Sequence, residues 1–209
     1  MSDHQDLLDY RRRVGEMYAR VRRGPLDLAA RCLEFRRARD ELFRTHPQSA
    51  LADVQKARFR GLRYYPHNPS LRFVLPLEGA VEPVTIEGTL RDDGFIRLRR
   101  IGKVQFAIEG TSVALSVFWI EGYGGGIFLP FRDRTNADAT FESGRYLLDT
   151  IKGADLGQED GKLIIDFNYA YNPSCAYNIR WDCPLAPPEN ALPVPIPAGE
   201  QRYAHDGTE

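Results

Sequence analysis

The spacing of apolar residues changes near Gly61, and this change constrains the fold more than any other feature of the sequence. Beyond this residue, apolar side chains recur at every second position, which is typical of strands that bury one face. The runs are Val84–Ile86, Ile96–Leu98, Val104–Ile108, Val113–Trp119, Ile127–Phe131 and Leu163–Phe167. Turn signals separate them, at Asp92–Gly94, Gly102, Glu109–Gly110, Gly122–Gly126, Gly144 and Gly157–Gly161. Short strands with regular turns predict an antiparallel β-barrel or roll of about eight to nine strands. No helices alternate with these runs, which argues against a parallel, doubly wound sheet.

The residues before this point follow a helical spacing instead. A first helix presents one apolar stripe, formed by Leu7, Tyr10, Val14, Met17 and Val21. It is expected to end at Gly24–Pro25, because Pro is favoured in the first turn of the next helix. The apolar face of that second helix consists of Leu28, Cys32, Phe35 and Leu42. It should end near Thr45, because Pro47 disfavours a helical conformation at the residue before it. A short third helix is expected from Leu51 to Phe59.

These patterns predict a mostly β, α+β protein. Two to three N-terminal helices in residues 1–60 are expected to pack across an antiparallel β domain that spans residues 61–200. Residues 201–209 are expected to form a flexible tail. A chain of 209 residues can bury roughly 70% of its unfolded surface, so it needs neither a disulfide nor a metal to fold.

The composition limits the partners and the compartment. The net charge is −1, so no overall field attracts nucleic acid or a membrane surface, and we expect neither partner. No segment approaches the roughly 18 consecutive apolar residues of a membrane span. The first residues lack the apolar run of a signal peptide, and the three cysteines, an odd number, favour a reducing compartment. We therefore expect a cytoplasmic protein; the composition does not specify an oligomeric state.

The stretch Asp166–Asn190, here named the covering segment, has an unusual composition. It contains four Pro, four Asn, three Tyr, two Cys and one Trp in 25 residues. Buried amides and phenols must find hydrogen-bond partners, so such a segment is held in one conformation. We expect it to lie on the sheet and to cover one end of it. The following Ala191–Pro197, apolar at every second position, suits an edge strand.

Strand parity places a group of polar residues away from the main core. If Leu163, Ile165 and Phe167 face the core, then Asp166 and Asn168 face the other way. Arg132 and Arg145 flank the loop 133–144, which a hairpin would close. Such a cluster is either a paired internal network or the lining of a pocket, and guanidinium groups match carboxylates and phosphates. The candidate ligand-binding residues are Arg132, Asp133, Arg145, Asp166, Asn168, Asn172, Cys175 and Tyr177.

Several other chemistries find little support in the sequence. The glycine run Gly122–Gly126 lies between two strands with no helix after it, so a turn or bulge is expected rather than a phosphate-binding loop. Cys175 and Cys183 are too far apart for a typical zinc pair, and we expect no metal and no cofactor. Cys175 could act as a nucleophile only if His46 or His67 approached it, so burial is the favoured interpretation of the cysteines.

Three functional hypotheses follow. The favoured one is a protein that binds a small anionic metabolite in a polar pocket lined by Arg and Asp or Asn. The first alternative is a small-molecule hydrolase or isomerase with Asp133 or Asp166 as general base. The second alternative is a protein-interaction module that uses the N-terminal helices.

Longer motifs in the chain resemble a known family. They are Pro130–Thr135, Glu142–Asp149, Asp166–Asn178 and Cys183–Asn190, with weaker counterparts in Phe35–Leu51 and Gly61–Pro66. Together they are similar to a bacterial and archaeal family catalogued as domain of unknown function 1684, and the resemblance extends from about Tyr10 to Tyr203. The resemblance implies a family and assigns no role to any residue.

Overall fold

The computed structural model describes residues 2–24, 27–90 and 94–204, which form a mixed α+β fold. The helices are α1 (Asp3–Arg23), α2 (Leu28–Thr45) and α3 (Asp53–Arg58). The strands are β1 (Arg72–Leu75), β2 (Thr85–Leu90), β3 (Gly94–Ile108), β4 (Thr111–Ile120), β5 (Gly126–Phe131), β6 (Arg145–Asp149), β7 (Gln158–Glu159) and β8 (Lys162–Asp166). The predicted breaks at Pro25 and at Asp92–Asp93, and the tail residues 205–209, lie outside the described residues.

The ends of the helices follow from local capping. Ser2 and Gln5 form a reciprocal capping box at the start of α1, and Asp27 accepts a hydrogen bond from the Ala30 N–H at the start of α2. α2 ends at Thr45, as the position of Pro47 predicts. Most of both apolar stripes packs on the main core, although Leu7 of α1 and Leu28 of α2 are exposed.

All strand pairs are antiparallel, and they form two sheets. One sheet has the order β1-β8-β7, and the other has the order β2-β3-β4-β5-β6. Among the described strands no closed barrel is found, and the barrel or roll stays a prediction. The main core lies between both sheets and the two long helices, and it contains Val104, Leu115, Leu129, Ile165 and Phe167.

Gly102 does not mark a turn, as its spacing predicted, but a bulge inside one long strand. The register between β3 and β4 shifts between Arg100 and Gly102. A Cβ atom on Gly102 would lie 2.6 Å from the Leu77 side chain and 2.8 Å from the Glu78 carbonyl, so glycine permits the close approach of that segment. The extra residue shifts the alternation of side chains between the two faces of the strand. Leu98 and Val104 are an even number of positions apart, yet they bury their side chains in different hydrophobic clusters.

The covering segment runs over the body of the fold and is anchored at its end. The fully buried side chain of Asn190 accepts from the Ser116 N–H at 2.8 Å and donates to the carbonyls of Ser116 and Pro130. The residues that follow form a single bridge between Arg132 and Ala191 instead of the edge strand expected there. Prolines at alternate positions remove the donors that a longer ladder requires.

Candidate functional site

Two of the predicted residues, Arg145 and Asp133, form a closed ion pair. Their side chains are 0% exposed, and Arg145 Nη2 lies 2.9 Å from Asp133 Oδ2. The remaining Arg145 donors point at backbone carbonyls: Nη1 donates to Ala198 and Glu200, and Nη2 donates to Ile196. Because nearly every donor is used within the chain, this pair matches the internal network that the sequence left open beside a ligand pocket.

Arg132 does not join this pair. Its side chain is exposed, while its backbone N–H donates to the Asn190 carbonyl at 2.9 Å and its carbonyl accepts from the Leu192 N–H at 2.8 Å. Adjacent residues of an extended chain point to opposite sides, so burial of Asp133 with Arg145 turns the Arg132 side chain outward.

Asp166 and Asn168 are buried but hold a local turn. Asp166 Oδ1 accepts from both the backbone N–H and the side-chain amide of Asn168, at 2.9 and 2.8 Å. The Asn168 amide in turn pairs with the backbone N–H and carbonyl of Asn68, each at 2.8 Å. Burial raises the pKa of Asp166, which the hydrogen bonds from Asn168 partly oppose. This arrangement joins the end of β8 to the segment before β1.

A second charged cluster, centred on Glu200, contains two more of the predicted residues, Asn172 and Tyr177. Glu200 is 1% exposed and accepts from Arg39 Nε and the Tyr177 hydroxyl, and from the Asn172 N–H at 2.9 Å. The Tyr64 hydroxyl lies 3.5 Å from the same carboxylate. Burial alone would lower the pKa of Arg39, but the Glu200 charge raises it well above its ordinary value. The cluster therefore fixes a charged guanidinium beneath the covering segment.

A cavity of about 80 Å³ borders this cluster on the side of the helices. α1 and α2 form one wall, and β6, the residues after it and the covering segment form the other. The aromatic lining consists of Tyr10, Tyr18, Phe43, Tyr146, Tyr171 and Tyr177. The polar and charged lining consists of Arg39, Asp149, Lys152, Asn172, Ser174 and Cys183. Flat apolar walls with a few polar groups are typical of small-molecule sites.

One polar atom of the lining is buried without a hydrogen-bond partner in the described part of the chain. The Asn172 side chain donates to the Gln201 carbonyl, but its Oδ1 is buried and unpaired. Burial raises the pKa of the Tyr18 and Tyr171 phenols in the same lining, which keeps them protonated. Unpaired buried polar atoms are uncommon in folded proteins and call for an explanation.

Asp149 adds a buried carboxyl group to the same lining. It is 3% exposed, and its Oδ1 accepts from the Lys152 N–H at 3.2 Å. Burial raises the pKa of Asp149, while the neighbouring Lys152 charge, 3.9 Å away, opposes the shift. Such a group can accept or donate a proton near a bound molecule.

Cys175 and Cys183 lie together at the edge of the cavity. The Cys175 N–H lies 3.4 Å from Cys183 Sγ, and Cys183 lines the cavity. Across the described residues, no group of three or more His, Cys, Asp or Glu side chains is placed to hold a metal ion. The helices in those same ranges lack the length and apolar content that a membrane crossing requires.

The candidate residues named from the sequence did not include Arg39 and Glu200, although the position of Arg39 in α2 indicated a buried charge. Arg39 follows Phe35 by four positions and therefore occupies the apolar face of α2, where an arginine needs a buried partner. The position of Glu200 offers no comparable signal, because it lies outside any helix or strand. It is positioned by the Glu200 N–H donating to the Ala170 carbonyl at 2.8 Å and by a bridge to Tyr64.

The fold and the site together describe an α+β protein of two antiparallel sheets with a small cavity beneath its N-terminal helices. Residues 57–201 match the family described as "Protein of unknown function (DUF1684)", and the chain belongs to this family. The solution NMR structure of an uncharacterized protein of Haloarcula marismortui is similar, with a TM-score of 0.57 and 28% identity. The similar region covers 82% of this chain and 92% of the Haloarcula marismortui protein. A comparison with curated proteins gives no match.

Proposed function

We propose that the protein binds a small organic carboxylate in the cavity between the helices and the covering segment. The observation that carries this proposal is that one cavity is lined both by Asn172, whose Oδ1 is buried and unpaired, and by Arg39, whose guanidinium is charged. A donor on a ligand would satisfy the first group, and a carboxylate would approach the second. This retains the anionic ligand expected from the sequence but assigns Arg39 the role predicted for Arg132 and Arg145.

The dimensions and the lining restrict the ligand further. A volume of about 80 Å³ accommodates roughly five to eight non-hydrogen atoms, at about one water-sized probe each. Arg39 stacks over the rings of Phe43 and Tyr171, at 4.6 and 5.2 Å from their centroids, so its guanidinium edge rather than its face remains for an anion. Arg39 Nη1 makes no hydrogen bond within the described part of the chain. A small flat monocarboxylate with one N–H or O–H donor fits these features.

A matched set of three probes tests this assignment. Pyrrole-2-carboxylate carries the anion and the donor, furan-2-carboxylate lacks the donor, and pyrrole lacks the anion. Ligand-observed NMR and thermal shift should show binding of the first probe. The second should bind roughly fivefold more weakly, because one hydrogen bond contributes about 1 kcal/mol. Pyrrole should bind least, because it leaves Arg39 without an anionic partner.

A cavity-filling variant shows where the probes bind. Val14 is half-buried on α1 and lines the cavity, so Val14→Phe should abolish binding at a stability cost of about 1–3 kcal/mol. Val21→Phe is the matched control, because Val21 is also a half-buried valine of α1 but does not line this cavity. The proposal fails if the probes bind equally to both variants, or if carboxylates as a class do not bind the wild type.

A second candidate function, a hydrolase or isomerase, now rests on Asp149 rather than on the carboxylates named from the sequence. Asp133 is committed to Arg145, and Asp166 to the Asn168 turn, whereas Asp149 lines the cavity with a raised pKa. If a bound carboxylate is converted, NMR should detect its product with the wild type and not with Asp149→Asn. Binding without conversion in both proteins would favour the binding function alone. The interaction module that uses the N-terminal helices stays a prediction.

A further inference from the structure

We propose that Cys175 and Cys183 form a peroxide-reactive dithiol, in which Cys183 is the attacking thiol and Cys175 the resolving thiol. The proposal concerns the edge of the cavity and does not depend on which ligand the cavity binds. A hydroperoxide oxidises the two thiols, and the product is an intramolecular disulfide between Cys175 and Cys183.

The geometry brings the Cys183 sulfur to the Cys175 backbone before any reaction. The residues are eight positions apart, and the Cys175 N–H lies 3.4 Å from Cys183 Sγ. Both are free cysteines; Cys175 is half-buried and Cys183 is buried. The contact between Cys183 Sγ and the Cys175 backbone places the two residues side by side, as formation of a disulfide requires.

The surroundings distinguish the two thiols. The hydrogen bond from the Cys175 thiol lowers the pKa of Cys183 to about 7, and backbone N–H groups of Cys175 and Ser174 act in the same direction. The same interaction raises the pKa of Cys175. The charged or titratable groups that face Cys183 from neighbouring elements are Lys152 and Tyr146. Cys183 is thus the more acidic of the two thiols, and the thiolate is the form that reacts with peroxides.

The third cysteine provides an internal reference. Cys32 is 1% exposed in the main core, and burial raises its pKa to about 11. Its Sγ lies 3.8 Å from the Asn168 carbonyl, away from the other two thiols. A protonated, buried thiol of this kind is inert toward peroxides.

The reaction balances in two steps. The Cys183 thiolate attacks the terminal oxygen of a hydroperoxide, the O–O bond breaks, and the departing alkoxide takes up a proton to leave as an alcohol. Cys183 is then a sulfenic acid. The Cys175 sulfur attacks Cys183 Sγ, the S–O bond breaks, and the oxygen leaves as water with the Cys175 proton. Two thiols have lost two electrons to one hydroperoxide.

The test uses the full chain, reduced and then exposed to tert-butyl hydroperoxide. Peptide mass spectrometry after alkylation should find Cys175 and Cys183 joined, with the loss of two hydrogen atoms, and Cys32 still alkylated. Cys175→Ser should accumulate a sulfenic acid on Cys183 that dimedone traps, and Cys183→Ser should abolish the reaction. Cys32→Ser is the matched control and should behave like the wild type.

A measurement on the wild type keeps the test independent of how the variants fold. At neutral pH, iodoacetamide should modify Cys183 at least roughly 10-fold faster than Cys32. That rate should rise with pH through a midpoint near the Cys183 pKa of about 7. The proposal is overturned if Cys175 and Cys183 remain reduced while peroxide oxidises methionine, if Cys32 enters the disulfide, or if the three thiols react at similar rates.

Discussion

Two of the buried arginine–carboxylate pairs differ in what surrounds them. Arg145 and Asp133 are enclosed by backbone carbonyls, which accept from Nη1 and Nη2 of Arg145, while its Nε is buried without a partner among the described residues. Arg39 and Glu200 are almost equally buried, but their neighbours are aromatic rings and a cavity. Burial lowers the pKa of Arg145, whereas the Glu200 charge raises that of Arg39.

The comparison shows that burial of a charge does not by itself mark a functional site. Both arginines keep their charge, since arginine does not lose its proton in proteins. The Arg145 pair stabilises a loop and offers a ligand almost nothing. The Arg39 pair borders atoms that no part of the described chain satisfies, such as Asn172 Oδ1. Unsatisfied atoms next to a cavity, rather than the buried ion pair, indicate where a ligand binds.

The largest effect on stability is expected for the buried ion pair of Arg145 and Asp133. Arg145→Met leaves Asp133 buried without its partner, which should lower the free energy of unfolding by about 3–5 kcal/mol. Arg132→Met is the matched control, because this neighbouring arginine is exposed and should change stability by about 0.5 kcal/mol or less. Urea unfolding followed by circular dichroism measures both. Equal losses in the two variants would mean that the Arg145 pair does not support the fold.

A smaller effect on stability is expected for the tyrosines that line the cavity, and its size should differ between Tyr177 and Tyr171. The Tyr177 hydroxyl donates to Glu200, so Tyr177→Phe should cost about 1.5–3 kcal/mol, the contribution of a hydrogen bond to a charged group. The Tyr171 hydroxyl has no partner among the described residues, so Tyr171→Phe should cost less than about 0.5 kcal/mol. The same unfolding assay compares them. A larger loss of unfolding free energy in Tyr171→Phe than in Tyr177→Phe would contradict the hydrogen bond assigned to the Tyr177 hydroxyl.

The smallest effect is a pH dependence from Asp149. Its folded-state pKa is raised by burial, so the folded protein binds more protons than the unfolded chain between the two pKa values. Stability of the wild type therefore falls as pH rises from the unfolded value of about 3.9 through the raised value. Asp149→Asn removes this contribution. The difference in unfolding free energy between variant and wild type should move in favour of the variant across that window. A constant difference, or drift in the opposite direction, would contradict the assigned pKa shift.

Part of the site could be predicted because local rules govern it. Asn172 and Tyr177 were named because a rigid segment rich in Asn and Tyr must satisfy its polar groups in one place, and both are buried against Glu200. Arg132 and Arg145 were paired by their position at the two ends of one loop. That reasoning identified neighbours in the chain, but it could not show that backbone carbonyls of residues 196–200 use the donors of Arg145.

The amino-acid sequence by itself determined the mixed α+β class, the end of α2 and the positions of β2 to β5 and β8, because these depend on spacing and on residues a few positions apart. Only the tertiary structure decided where the cavity lies and which arginine borders it. Arg39 and Glu200 are 161 positions apart, and their contact depends on how the helices pack over the covering segment. Gly102 shows the same limit within one strand, where a neighbouring segment rather than the local pattern replaced a turn by a bulge.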